Sequence, residues 1–86
     1  MLEELDRKDE AEAVYRRGLE AEPSHPTLLY NLGIILDKTD WVDEAESSFR
    51  NALKSKPTWE AGLNNLGIVL QKRGKDEDSA KVFERI

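Results

Sequence analysis

The apolar positions of this chain recur at steps of three and four. Leu29, Leu32, Gly33 and Leu36 form one such stripe, and Leu63, Leu66, Gly67 and Leu70 repeat it at a constant offset. Steps of i, i+3, i+4 and i+7 put side chains on one side of a helix, so each stripe predicts an amphipathic helix with a buried face. Ala11, Val14, Tyr15, Gly18 and Leu19 predict an earlier helix from Asp9. Val42, Ala45, Phe49, Ala52 and Leu53 predict one between the two stripes, and Ser79, Val82, Phe83 and Ile86 predict a fifth. Met1 to Lys8 look like the tail of a helix followed by a turn, because Leu2 stands as far before Leu36 as Leu36 stands before Leu70.

Local signals divide these helices. Pro23 and Pro57 each end a helix, since proline disfavours helical geometry in the residue before it. Pro26 suits a first helical turn, where its missing N–H would have had no partner, so the second helix is expected over Pro26 to Lys38. Asp40 is expected to cap a third helix, Trp41 to Ser55, and Thr58 a fourth, Trp59 to Arg73. Gly74 supplies the left-handed geometry that closes the fourth. Asp43 and Glu44 near one helix start, and Lys54 near its end, agree with the helix macrodipole. Gly33 costs roughly 1 kcal/mol of helix propensity relative to alanine, which close approach of a partner helix would justify.

The segment YNLGIIL, Tyr30 to Leu36, returns as NNLGIVL, Asn64 to Leu70, with no insertion between the copies. Residues 26–52 and 60–86 share 8 identities in 27 positions, enough to align the units without making them interchangeable. A fixed period of this length marks a stacked array of helix pairs, in which each unit buries its apolar face only against its neighbours. The expected architecture is an all-α solenoid of antiparallel helix pairs with about five helices. It divides into 1–25, the second helix of a partial repeat; 26–59, a complete repeat; and 60–86, a repeat truncated near its end.

Composition narrows the function. The chain of 86 residues has a net charge of -5, which disfavours nucleic acid or an anionic membrane as partner. It has no cysteine, so disulfides, thiolate metal sites and cysteine nucleophiles are excluded, with a lean towards a cytoplasmic setting. No apolar run approaches the ~18 residues of a membrane span, and MLEELDRKDE lacks the core of a signal peptide. His25, the single histidine, lies in an interhelix turn and is expected to be solvated or to cap a helix. Asp76, Glu77 and Asp78 lack the spacing and glycine of a calcium loop and suit a helix start. Trp41 and Trp59 stand at helix starts, where packing across the turn or anchoring of a partner are both open. No phosphate loop, nucleophile with a base or catalytic carboxylate pair is legible. No enzyme activity, cofactor or metal is expected.

The period and motif resemble the tetratricopeptide repeat, W-x2-L-G-x2-Y, then A-x3-F, then P. Here the first part is Leu29-x2-Leu32-Gly33-x2-Leu36 and Leu63-x2-Leu66-Gly67-x2-Leu70, with leucine at both aromatic positions. The second part is Ala11-x3-Tyr15, Ala45-x3-Phe49 and Ser79-x3-Phe83, and the prolines are Pro23 and Pro57. The resemblance covers the whole chain and implies a right-handed superhelix whose first helices line a concave groove. The bulky residue expected early in each second helix is Val42 in the middle unit but Lys8 and Asp76 in the outer ones, which predicts looser packing there.

A helical wheel at about 100° per residue separates the groove face from the buried stripe. Thr27, Tyr30, Asn31, Ile34, Asp37 and Lys38 cluster on it in one unit, with Ala61, Asn64, Asn65, Ile68, Gln71 and Lys72 in the next. From these the expected peptide-binding residues are Thr27, Tyr30, Asn31, Ile34, Lys38, Asn64, Asn65, Ile68, Gln71 and Lys72. Asn31 and Asn65 would form a ladder of amides able to hold a peptide backbone, similar to that in the tetratricopeptide domain of the transferase that attaches N-acetylglucosamine to proteins; alternatively they serve local hydrogen bonding. Ile34 and Ile68 would bury a ligand side chain or seal neighbouring helices. Of the family's carboxylate clamp for chaperone tails only Asn31 matches, since Ala61 and Asn65 stand where that clamp has lysine and arginine. The expected function is a scaffold for a protein or peptide partner. The alternative is a self-associating fragment, a homo-oligomer formed through end helices.

Overall fold

The computed structural model of the chain describes residues 2–86, with side chains from residue 8 onward. Met1 lies outside the described residues, as does the side chain of Leu2, on which the expected register of the first segment rested. Five helices follow one another: α1 (Leu2–Ala21), α2 (Pro26–Lys38), α3 (Val42–Ser55), α4 (Glu60–Lys72) and α5 (Asp76–Glu84). Each packs against the next, α2 also touches α4 directly, and no strand occurs among the described residues. The architecture is an all-α solenoid segment of antiparallel helix pairs.

The first helix departs from expectation. It runs without a break from Leu2 to Ala21, so there is no turn before Asp9. Residues 2–8 contain neither glycine nor proline and are mostly Leu, Glu, Arg and Lys, all strong helix formers. At its other end Pro23 and Ser24 form the turn, and His25 caps α2 with its Nδ1, which accepts a hydrogen bond from the Leu28 N–H at 3.3 Å. Pro26 then occupies the first helical position, as expected.

Asp40 and Thr58 do not cap helices; Trp41 and Trp59 hold those positions, without side-chain capping bonds. Asp40 instead closes α2. It has φ +67, its N–H donates to the Asp37 carbonyl at 3.2 Å, and the Trp41 N–H donates to the Leu36 carbonyl at 2.8 Å. Gly74 closes α4 in the same way at φ +75, with N–H bonds from Gly74 to Gln71 and from Lys75 to Leu70. This paired bonding satisfies carbonyls that the helix end would otherwise leave unpaired. The demand of the preceding helix for a left-handed residue overrides the capping preference of aspartate.

The core lies where α3 is wedged between α2 and α4. Ala45, Phe49 and Ala52 of α3 are wholly buried, with Leu32 and Leu36 from α2 and Leu63, Leu66, Val69 and Leu70 from α4. Ile35 and Val69 are buried although the predicted stripes omit them, because helices inside an array are covered on two sides. Val14, expected in the core, is 62% exposed on α1. Of the early second-helix positions, Val42 packs half-buried against the core while Asp76 is exposed.

The glycines are explained by what faces them. A Cβ on Gly33 would lie 2.7 Å from Phe49 Cε1, and one on Gly67 would lie 2.5 Å from Phe83 Cζ. Both rings therefore rest on bare helix backbone. At the α1–α2 junction a Cβ on Gly18 would lie 2.7 Å from Leu28. At the α3–α4 junction Gly62 holds the place that Leu28 holds one repeat earlier, and Leu53 reaches in to fill the space. Ser79, at the position of Ala45, donates its hydroxyl to the Gly67 carbonyl at 2.8 Å, so its burial leaves no unpaired polar group.

An ion cluster around the buried Glu46 ties the α4–α5 turn to α3. Glu46 accepts from Arg50 at 2.8 Å, from Lys75 at 3.3 Å and from Arg73, while Arg73 Nε also pairs with Asp43 at 2.9 Å. Burial alone would push the Glu46 carboxyl up, but hydrogen bonds from Arg50, Arg73 and Lys75 outweigh it and hold it at about 2.

Candidate peptide-binding face

The candidate residues lie on α2 and α4, the two first helices, and two bridges join these helices side by side. Asn65 Nδ2 donates to the Tyr30 hydroxyl at 3.0 Å, and Lys72 Nζ donates to Asp37 Oδ1 at 2.7 Å. Both pairs are 35 residues apart, one more than the repeat. The face of α4 that meets α2 is therefore shifted by one residue, and equivalent positions such as Asn31 and Asn65 are not the ones that bond.

Tyr30 is held from three sides. Its ring centroid lies 4.6 Å from that of Trp59 and 5.9 Å from that of Phe49, and its hydroxyl receives Asn65. Trp59 is held in turn by Lys56, whose Nζ sits 5.0 Å from the indole centroid, so this tryptophan packs across the turn. Asn65 spends both N–H groups inside the chain, the second on the Ala61 carbonyl at 2.9 Å. Only its carbonyl oxygen is left to face a ligand. Tyr30, Asn65, Asp37 and Lys72 thus act first as stacking residues, and the missed signal was the 35-residue spacing of complementary side chains.

The remaining candidates are less engaged. Thr27, Asn31, Lys38, Asn64 and Gln71 make no side-chain hydrogen bond or ion pair to another described residue, and all but Asn31 are exposed. Ile34 packs half-buried against the core cluster, whereas Ile68, its counterpart on α4, is 36% exposed. Of the ten residues, Tyr30, Asn65 and Lys72 are therefore bonded at the α2–α4 seam, Ile34 is packed against the core, and the other six make no such bond.

Two recesses of the described surface lie away from this face. One of about 370 Å³ runs between α1 and α3 over Leu29, Leu32 and Leu36, and one of about 390 Å³ adjoins Trp41. Two helices side by side make a shallow strip rather than a cavity, and a strip is the shape that meets an extended chain along its length. Among the described residues no group of acidic or histidine side chains is arranged to hold a metal, and no helix is long and apolar enough to cross a membrane.

Comparison with known proteins agrees with the fold. The family model described as tetratricopeptide repeat matches residues 1–25 and 26–58. The solved structure of MamA superposes with a TM-score of 0.87 at 20% identity, over 94% of this chain and 47% of that one. The second tetratricopeptide domain of Spaghetti (RPAP3), bound to the HSP90 peptide SRMEEVD, superposes with a TM-score of 0.86 at 22% identity, over 91% of this chain and 72% of that one. At these identities the likeness is one of fold. The chain spans about half the length of that MamA structure. Among functionally curated proteins no sequence match is found.

Proposed function

The chain belongs to the tetratricopeptide repeat family, and from that premise we propose that it is a protein-interaction scaffold whose α2 and α4 faces hold an extended segment of a partner. The observation that carries the reading is the open polar set beside a rigid seam. Asn31 is half-buried with an unspent amide, Asn65 keeps a free carbonyl oxygen, and Lys38, Asn64 and Gln71 stand exposed on either side. Tyr30–Asn65 and Asp37–Lys72 fix the spacing of these groups before any ligand arrives, which lowers the ordering cost of binding. The Spaghetti domain was solved with an acidic peptide, but Ala61 and Asn65 stand where a carboxylate clamp has cations. The ligand proposed is accordingly gripped through its backbone amides.

The test is affinity for peptides selected from a random displayed library, measured by calorimetry. Asn31→Ala removes an amide that bonds no described side chain. It is expected to weaken the selected peptides about five- to tenfold, the equivalent of about 1 kcal/mol, with helix content unchanged. Equal affinity for the variant would remove the backbone-gripping face from consideration.

Self-association is the second reading, and Ile68 is what favours it. It holds on α4 the place that Ile34 holds on α2, yet it is open where Ile34 is packed. Light scattering that gives one monomeric mass at every concentration would refute it.

A further inference from the structure

Trp41 is 60% exposed, at the turn between α2 and α3. Its backbone is fully engaged: the N–H donates to the Leu36 carbonyl at 2.8 Å, and the carbonyl accepts from Ala45 at 2.9 Å. Its indole has neither an aromatic nor a cationic partner among the described residues, in contrast to Trp59, which packs tilted against Tyr30 and is covered by Lys56. Nor does the turn need an indole. Lys75 closes the equivalent turn of the next repeat with the same two hydrogen bonds, to Leu70 at 2.8 Å and from Ser79 at 2.9 Å. At the equivalent position of the preceding repeat the sequence has Arg7. A tryptophan thus stands where both neighbouring units carry a cation.

Trp41 lines a recess of about 390 Å³ together with Asp40, Val42, Asp43 and Glu44. Asp43 pairs with Arg73 at 2.9 Å and Glu44 with Arg16 at 3.2 Å, while Asp40 has no ion pair among the described residues. The wider charge has the same sign. Residues 1–44 hold twelve acidic against five basic side chains, and residues 45–86 hold six against eight. Carboxylates at a helix start serve the macrodipole, as Asp76 to Asp78 do on α5, but that role gives no reason for the exposed indole beside them.

We infer that this turn is a docking point for an arginine or lysine side chain of a protein partner. The cation lies against the indole face, attracted by the ring quadrupole, with Asp40 supplying the opposite charge at the rim. The partner therefore presents a basic segment to the helix-turn edge of the array. This site shares no residue with the α2–α4 face, so either can fail without the other.

The test follows the indole N–H resonances of the isotopically labelled chain during titration with a short Gly-Arg repeat peptide, and with a Gly-Glu repeat peptide as control. Trp41→Lys assigns the two indole signals by removing one, and it keeps the turn because Lys75 already closes the equivalent one. A saturable movement of the Trp41 signal with the Gly-Arg peptide alone is expected. Binding, read in every variant from the backbone amide signals of this turn, should weaken about fivefold or more in Trp41→Lys and in the neutral Trp41→Gln, and about twofold in Asp40→Asn. A stationary Trp41 signal overturns the inference. So does equal affinity in Trp41→Gln, since net charge would then account for all the binding.

Discussion

A methyl group added at Gly33 would arrive 2.7 Å from Phe49 Cε1 and 2.9 Å from Cδ1 and Cζ of the same ring. Carbon atoms in good contact stand about 3.5–4.0 Å apart, so three ring atoms are overlapped at once. The ring has nowhere to retreat: Phe49 is wholly buried, with the Tyr30 ring 5.9 Å away. Relief requires α2 and α3 to part along the most extensive helix contact among the described residues. Overpacking costs about 1–3 kcal/mol, and overlap with three atoms of a buried ring places this case in the upper part, about 2–3 kcal/mol; alanine returns about 1 kcal/mol of helix propensity, so Gly33→Ala is expected to lose about 1–2 kcal/mol. In a domain of this size that is a fall in Tm of roughly 5–15 °C. Urea unfolding followed by circular dichroism measures the loss, and the double variant Gly33→Ala/Phe49→Leu should recover at least about 0.5 kcal/mol relative to the sum of the single variants. Gly67→Ala is the internal comparison. Its methyl would come closer, 2.5 Å from Phe83, but that ring is half-buried on the shorter α5 and can yield. A Gly33→Ala variant as stable as the parent, or one less harmful than Gly67→Ala, would refute the reasoning that ring-on-backbone packing fixes this glycine.

Three further outcomes are expected. Asp40→Gly should stabilise the chain by about 0.5–1 kcal/mol in urea unfolding, because φ +67 strains an aspartate and the equivalent Gly74 carries no such strain. Tyr30→Phe keeps the ring contact with Trp59 but removes the acceptor for Asn65, and should cost about 0.5–1.5 kcal/mol in the same assay. Glu46 has a folded pKa lowered to about 2 from an ordinary 4.5, so its contribution is complete above about pH 4.5 and is lost as pH falls towards 2. The ceiling on that contribution is about 3 kcal/mol, reduced to about half by solvent screening at Arg50 and Lys75. Thermal unfolding across this range should show a steeper acid loss in the parent than in Glu46→Gln, and parallel profiles would exclude the cluster as the cause.

The stacking plan was legible because Leu29, Leu32, Gly33 and Leu36 recur in step with Leu63 to Leu70, and a fixed period of that length has few physical solutions. Helix starts were less legible. Asp40 has the chemistry of an N-cap, and only its alignment with Gly74 reveals that the end of α2 claims it first. Ile35 and Val69 escaped a stripe drawn for a helix buried on one side, since α2 and α4 are each covered from two directions. On the candidate face the sequence indicated which residues share a side of each helix. It did not reveal that neighbouring first helices meet one residue out of step, which turns Tyr30 and Asn65 into partners of each other. Arg73 and Lys75 reach Glu46 across 27 and 29 residues, and no local spacing announces that cluster.

Arrays of similar units face a hazard that other folds do not: a helix that docks one unit out of place still finds an apolar stripe. The exchange of bulk between Leu28 and Gly62 guards against it. If α1 took the place of α3 beside α4, Gly18 would face Gly62 and leave a void; if α3 took the place of α1 beside α2, the Ala52 methyl would come where Gly18 leaves room for Leu28. Each slipped arrangement gives up contact or forces overlap, while the native one does neither. The two junctions thus act as differently cut keys, and the folding landscape is tilted against shuffled stacks and against exchange of helices between copies.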